Sequence, residues 1–293
     1  MRNAAATKDG SSPFPTRTEA NNFFFHYRSI YEQRHHTVVG SNATQLEAKG
    51  GGTITIGQFL NETAVPVMAL VAAGYEFVLA TPTGEKPHVD KDSDALIYFA
   101  NDDAARTRAR NFFNDDPAMN RVRTVRSVID HGLGRFAGVF FPGGHAPVVD
   151  VMQDPDVREV LRYFHTNKKP TAAICHGPMA ILAEMDNARE FRAALIAGDK
   201  MKAAKLAKGW QYAGYRMTVF SRSEEMFAED NVFHAKLYFN MPDALEAAGG
   251  KVITSEADFV PHVVEDRELV TGQNPMSDHE LARKFIAALD RAA

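Results

Sequence analysis

The sequence predicts an α/β fold with a mostly parallel central sheet and helices on both faces. Short apolar runs alternate with amphipathic segments along most of the chain, the pattern of βαβ units. Residues 136–141 and 171–174 are almost wholly apolar, as strands covered on both faces must be. Composition permits a large core, since 45% of the 293 residues are hydrophobic and 24% are charged. The formal net charge of −4 argues against nucleic-acid or membrane-surface partners. No segment approaches the ~18 uninterrupted apolar residues of a transmembrane helix.

Residues 1–35 read as a partly disordered N-terminal extension without the apolar core of a secretory signal. Phe23, Phe24 and Phe25 would anchor it to the body or to a second subunit. The α/β domain then spans 36–293, opening with a weak strand at 36–41. Val65, Met68, Leu70 and Val71 recur at helical spacing within 62–74, and Gly74 ends that helix. A buried strand follows at 76–81, then a helix at 120–131. The strand at 136–141 is closed by Pro142, Gly143 and Gly144, and an amphipathic helix occupies 156–166. Next come a short strand at 171–174 and a helix at 178–184, opened by Pro178 where proline is best tolerated. Arg189, Arg192, Lys200, Lys202, Lys205 and Lys208 lie among Ala and Leu, so 188–208 reads as a helical insertion with a solvated basic face. Further strands are expected at 217–220, 251–254 and 269–271, with helices at 243–248 and 277–291.

A single cysteine excludes an intramolecular disulfide and any multi-cysteine metal cluster. It also suits a reducing, cytoplasmic compartment. Cys175 ends an apolar strand and is followed by His176, Gly177 and Pro178, the strand–turn–helix layout of a nucleophile elbow. A helix N-terminus there would lower the thiol pKa. Gly177 would allow close approach, and the His176 N–H would face an oxyanion. Phe140-Phe141-Pro142-Gly143-Gly144-His145 forms a second glycine turn at the carboxyl edge, where ligands of parallel sheets collect. Gly143 and Gly144 could supply further donors there, with His145 and His262 lining the pocket. The adjacent His35 and His36 are badly spaced for a shared metal. Neither a metal site nor an organic cofactor is expected.

Phe-Pro-Gly-Gly-His at 141–145 and Ile-Cys-His-Gly-Pro at 174–178 resemble the ThiJ/PfpI superfamily. Phe-Leu-Asn-Glu-Thr-Ala-Val-Pro at 59–66 and Leu-Val-Thr-Gly-Gln-Asn-Pro at 269–275 resemble its acidic and C-terminal motifs. The nearest branch comprises stress chaperones and glutathione-independent glyoxalases III. That resemblance implies a flavodoxin-like sandwich, a homodimer, and conversion of methylglyoxal or other 2-oxoaldehydes to D-lactate or other 2-hydroxy acids. It assigns Cys175 as nucleophile, His176 as its neighbour and Glu62 as the carboxyl beside the thiol. Glu225 falls at the third triad position, or Glu224 if the register slips by one. Protein deglycase activity and unfolded-protein clients belong to the same branch. A holdase chaperone, a cysteine peptidase or amidase, and a redox sensor are alternatives. A glutamine amidotransferase is disfavoured because the chain contains no His-x-Glu. The basic insertion, and the polar Ser41 and Asn42 at the end of the first strand, depart from the family pattern.

Overall fold

The computed structural model describes residues 35–293. The strands are β1 (His35–Val39), β2 (Gln45–Glu47), β3 (Thr53–Thr55), β4 (Glu76–Thr81), β5 (Arg123–Thr124) and β6 (Phe136–Phe141). They continue with β7 (Thr171–Ile174), β8 (Arg216–Met217), β9 (Lys251–Val252), β10 (Val263–Asp266) and β11 (Leu269–Gly272). Seven of these form the central sheet, in the order β10-β11-β7-β6-β1-β4-β5. Only the β10–β11 hairpin is antiparallel. The α/β class and the mostly parallel sheet are therefore as expected.

Helices cover both faces: α1 (Leu60–Ala72), α2 (Asp103–Asp115), α3 (Val125–Asp130), α4 (Pro155–Thr166), α5 (Ala188–Ile196), α6 (Lys200–Leu206), α7 (Arg222–Ala228), α8 (Met241–Ala247) and α9 (Asp278–Ala292). Successive side chains of a strand point to opposite faces, so each central strand must feed two cores. Phe140 joins Leu60, Val67 and Leu70 of α1 and Phe285 of α9 on one side. Phe141 joins Val157, Leu161 and Phe164 of α4 on the other. This double burial explains the near-continuous apolar run in β6.

Several boundaries differ from expectation. The proposed extension lies outside the described residues except for His35, which already belongs to β1. That weak strand sits between β4 and β6, inside the sheet rather than at an edge. Ser41 and Asn42 lie beyond its end and have another task. Ser41 Oγ donates to Asp150 at 2.5 Å and the Asn42 N–H at 2.8 Å, pinning two loops together. The helix expected over 120–131 is shortened to α3, capped by the Thr124 side chain, with β5 taking the residues before it. Of the runs expected as strands at 217–220 and 251–254, only Met217, Lys251 and Val252 pair, in a two-residue ladder with Arg216 apart from the main sheet. Sequence periodicity missed α2, whose start is fixed by Asp102 accepting from the N–H groups of Ala104 and Ala105. The basic segment folds as α5 and α6, which bury Phe191, Ala194, Leu195 and Ala203. No helix among the described residues is long and apolar enough to cross a membrane.

His36 is fully buried among the rings of Tyr75, Phe77 and Phe285. Burial lowers its pKa from 6.5 to about 3, offset only in part by the backbone of Glu76. Between those two values the unfolded chain takes up a proton that the folded chain refuses, so stability falls as pH falls. From pH 6.5 to about pH 5 this single group costs about 2 kcal/mol. Urea denaturation at pH 7.5 and pH 5 should show that His36→Leu loses about that much less stability than wild type. Equal losses in the two proteins would refute the assignment.

Candidate active site

Cys175 stands at the carboxyl end of β7 with φ +59°, a left-handed backbone rare for a residue with a side chain. Two hydrogen bonds hold it there. Its N–H donates to Gly272 O at 2.9 Å, and its carbonyl accepts from the Phe220 N–H at 3.1 Å. The close turns need glycine. A Cβ on Gly177 would lie 2.3 Å from Phe141 O, and one on Gly143 would lie 2.3 Å from Glu62 Oε2. The segment after the elbow, Gly177–Glu184, is a 3₁₀ helix rather than an α-helix.

Cys175 Sγ lies 3.1 Å from Nδ1 of His176. Nε2 of His176 lies 2.8 Å from one Glu225 oxygen, and Nε2 of His145 lies 2.8 Å from the other. An ionised carboxylate only accepts, so both Nε2 atoms carry hydrogen, and Nδ1 of His176 is left to accept from the thiol. Burial lowers the His176 pKa to about 4, with neighbouring His145 adding to the effect, so the ring is neutral at physiological pH. Burial opposes ionisation of Glu225, but the two imidazoles outweigh it and hold the carboxyl well below its usual range. Glu224 faces elsewhere. Its oxygens accept from the Ser221 and Phe259 N–H groups and from the Asn274 side chain. Of the two candidates, Glu225 is therefore the one in contact with His176.

Glu62, in the first turn of α1, turns its carboxyl towards the Cys175 thiol and the Gly144 backbone. It is fully buried, and burial raises its pKa to about 8. At neutral pH it is a carboxylic acid able to donate. The thiol does not match the low pKa expected from a helix N-terminus. Burial pushes Cys175 up, ionised Glu62 pushes it further, and the Gly144 N–H only partly compensates. Complete enclosure outweighs the short 3₁₀ turn. Sulfur and carboxyl thus compete for one negative charge.

Cys175 and His176 open onto a pocket at the carboxyl edge of the sheet. Gly144, His145 and His176 line it, whereas Gly143 does not and packs instead against Glu62 and Cys175. His262 does not line it either, because its ring bonds the Ile253 carbonyl at 3.2 Å. Sequence reasoning missed Asp90, Asp92, Tyr98, Phe227, Phe233 and Phe259, which arrive from segments far apart in the chain. Phe233 comes from a π-helical turn, Glu229–Phe233, of a kind often found at functional sites. Nothing in its local sequence marks that turn. His145, His176 and Glu225 also place two imidazole nitrogens and a carboxylate oxygen within 4.8 Å of one another, a donor set able to hold a metal ion. Their mutual hydrogen bonds satisfy the same atoms without one.

A parallel α/β sheet with a cysteine–histidine–carboxylate constellation on a strained elbow defines the structural class. The DJ-1/PfpI family model matches residues 57–219, and the chain belongs to that family. It is 25% identical to the protein/nucleic acid deglycase HchA of Staphylococcus aureus strain Newman, over 94% of this chain and 93% of that one. Its fold is similar to that of glyoxalase III from Candida albicans, with a TM-score of 0.62 at 19% identity over 88% and 98% of the two chains. The rapid encystment protein of Francisella tularensis is equally similar, with a TM-score of 0.63 at 19% identity over 87% and 99%.

Replacing Glu62 by Gln keeps the shape and removes the charge that opposes the thiolate. The pH midpoint for alkylation of Cys175 by a neutral reagent should therefore move down in Glu62→Gln relative to wild type. A midpoint that stays or rises would show that Glu62 does not face the sulfur in solution.

Proposed function

We propose that the protein is a glutathione-independent glyoxalase. It would convert methylglyoxal and related 2-oxoaldehydes to D-lactate and the corresponding 2-hydroxy acids. The observation that carries this reading is the contact of one sulfur with two groups of opposite character: neutral His176 at 3.1 Å, and the carboxyl of Glu62, protonated up to about pH 8. The glyoxalase and deglycase names of its relatives agree with it.

The reaction needs no redox partner. Nδ1 of His176 takes the thiol proton as the sulfur adds to the aldehyde carbon, and the Gly144 N–H and the Glu62 acid support the oxygen as it gains charge. Once this oxygen is protonated the adduct is a hemithioacetal. His176, freed of its proton, removes hydrogen from the same carbon, and the electron pair shifts to form an enediol. Return of a proton to the neighbouring carbon gives a thioester. Water then cleaves the carbon–sulfur bond, releasing the 2-hydroxy acid and restoring the thiol. Glu225 holds His176 in the tautomer that the first step requires and stabilises the transient imidazolium. His145 shares that carboxylate and borders the pocket, which places it to carry the second proton. The same cysteine adduct would let the protein act on oxoaldehyde adducts of amines, as a deglycase.

Incubation with methylglyoxal without glutathione, followed by D-lactate measurement, tests the proposal. Wild type should form D-lactate, and Cys175→Ala should lose at least about a thousandfold. Glu225→Ala should lose roughly a hundred- to ten-thousandfold. The rate should decline as pH rises through about 8, where Glu62 gives up its proton, and as pH falls towards 4, where His176 gains one. Wild type without D-lactate formation, or Cys175→Ala with full activity, would reject the glyoxalase reading.

A further inference from the structure

The wall of the pocket in front of Cys175 is aromatic to a degree that methylglyoxal does not require. Phe220 packs on His176 with ring centres 4.8 Å apart, and Phe233 stands edge-on to His145 at 4.7 Å. Phe259 contacts both Phe220 and Phe227, at 6.2 and 5.3 Å. Tyr98 closes the opposite side, edge-on to Phe59 at 4.9 Å. These rings come from four separate segments and meet only at the mouth of the site. Phe227 is half exposed there, which leaves its ring accessible to a ligand in the mouth.

The charged groups of the wall are all acidic. Asp90 and Asp92 line the pocket, and among the described residues no lysine or arginine does. Asp90 is nearly buried and caps the Lys91–Asp94 turn by accepting from the Asp92 N–H, which fixes both residues at the rim. An anionic substituent entering this mouth would meet like charge and find no lysine or arginine of the described residues to pair with.

We infer that the site selects uncharged 2-oxoaldehydes with an aromatic or bulky apolar substituent, and excludes those bearing a phosphate or carboxylate. The choice of substrate class rests on the glyoxalase reading above, whereas the shape and charge of the pocket do not. Charge selection also suits the direction of the reaction. R–CO–CHO plus water gives R–CHOH–COO⁻ and a proton, so a neutral molecule enters and an anion leaves past two carboxylates. The rings would hold the substituent, while the rim would favour release of the product.

Because Cys175 is the one cysteine in the chain, its labelling reads the pocket without reference to turnover. Three reagents serve: iodoacetamide, iodoacetate and N-benzyl iodoacetamide, each rate divided by that of the same reagent with free glutathione. Iodoacetate should fall about tenfold or more behind iodoacetamide, and the benzyl reagent should run about tenfold ahead of it. Phe227→Ala should shrink the benzyl advantage, and Asp92→Asn should shrink the penalty on iodoacetate. Met201→Ala, far exposed on the basic insertion, should change neither ratio. In turnover, kcat/KM for phenylglyoxal should exceed that for methylglyoxal by about tenfold or more. Labelling without bias between reagents overturns the inference. Biased labelling with no 2-hydroxy acid formed from either aldehyde upholds the pocket chemistry and overturns the glyoxalase reading instead.

Discussion

The left-handed backbone of Cys175 is the constraint on which the rest of the site depends. Such a conformation costs about 1–3 kcal/mol for a residue with a side chain and persists only where its surroundings enforce it. Here β11 and the segment before α7 grip the residue from both sides, through Gly272 O and the Phe220 N–H. The resulting turn lifts the sulfur out of the sheet edge and sets His176 beside it. It also forces the neighbouring loops so close that side chains at positions 143 and 177 would collide with backbone or with Glu62. The glycines, the C-terminal strand and the carboxyl of α1 are thus consequences of one strained residue.

Around that elbow, burial drives two glutamates in opposite directions. Both are inaccessible to solvent, and desolvation alone would keep both protonated. Glu225 escapes because two imidazole N–H groups meet its two oxygens. Glu62 faces a thiol and a backbone amide instead, neither within full hydrogen-bond geometry, and stays an acid up to about pH 8. Pairs of like groups pushed apart by their environments supply an acid and a base at one pH. Neutral His176 accepts from sulfur on one side and donates to carboxylate on the other, so the Glu225 charge is what offsets the cost of protonating a buried ring.

The parts of this arrangement that were legible in the sequence are those carried by contiguous residues. The elbow from Ile174 to Pro178 and the Gly143–Gly144 turn encode their geometry locally, because only certain residues tolerate those turns. The sheet was readable from its doubly buried strands β6 and β7. The thiol's electrostatics were not, since a helix start can be read from Pro178 whereas full enclosure by α1, the Gly144 loop and Phe220 cannot. Strand β1 looked weak because its interior position is set by pairing with β4 and β6, not by its own composition. Asp90, Tyr98, Phe227, Phe233 and Phe259 converge only through tertiary packing, and each alone resembles an ordinary surface or core residue.

Adjacent glutamates on α7 show how a one-residue ambiguity in sequence becomes a sharp physical choice. Neighbouring helical positions point about 100° apart, so Glu224 and Glu225 cannot serve the same partner. Ser221 settles which faces where. Its side chain caps the helix by accepting from the Glu224 N–H, and the Glu224 side chain returns a bond to the Ser221 N–H. That reciprocal pair fixes Glu224 at the third helical position, where its other oxygen takes the Phe259 N–H and the Asn274 amide. Glu225 is then turned towards the two histidines, and two residues on, Phe227 reaches the pocket mouth. A capping box at the helix start therefore sets both the carboxylate that orients His176 and the ring that borders the substrate. Any change that slips this helix by one residue would disturb proton transfer and substrate selection together.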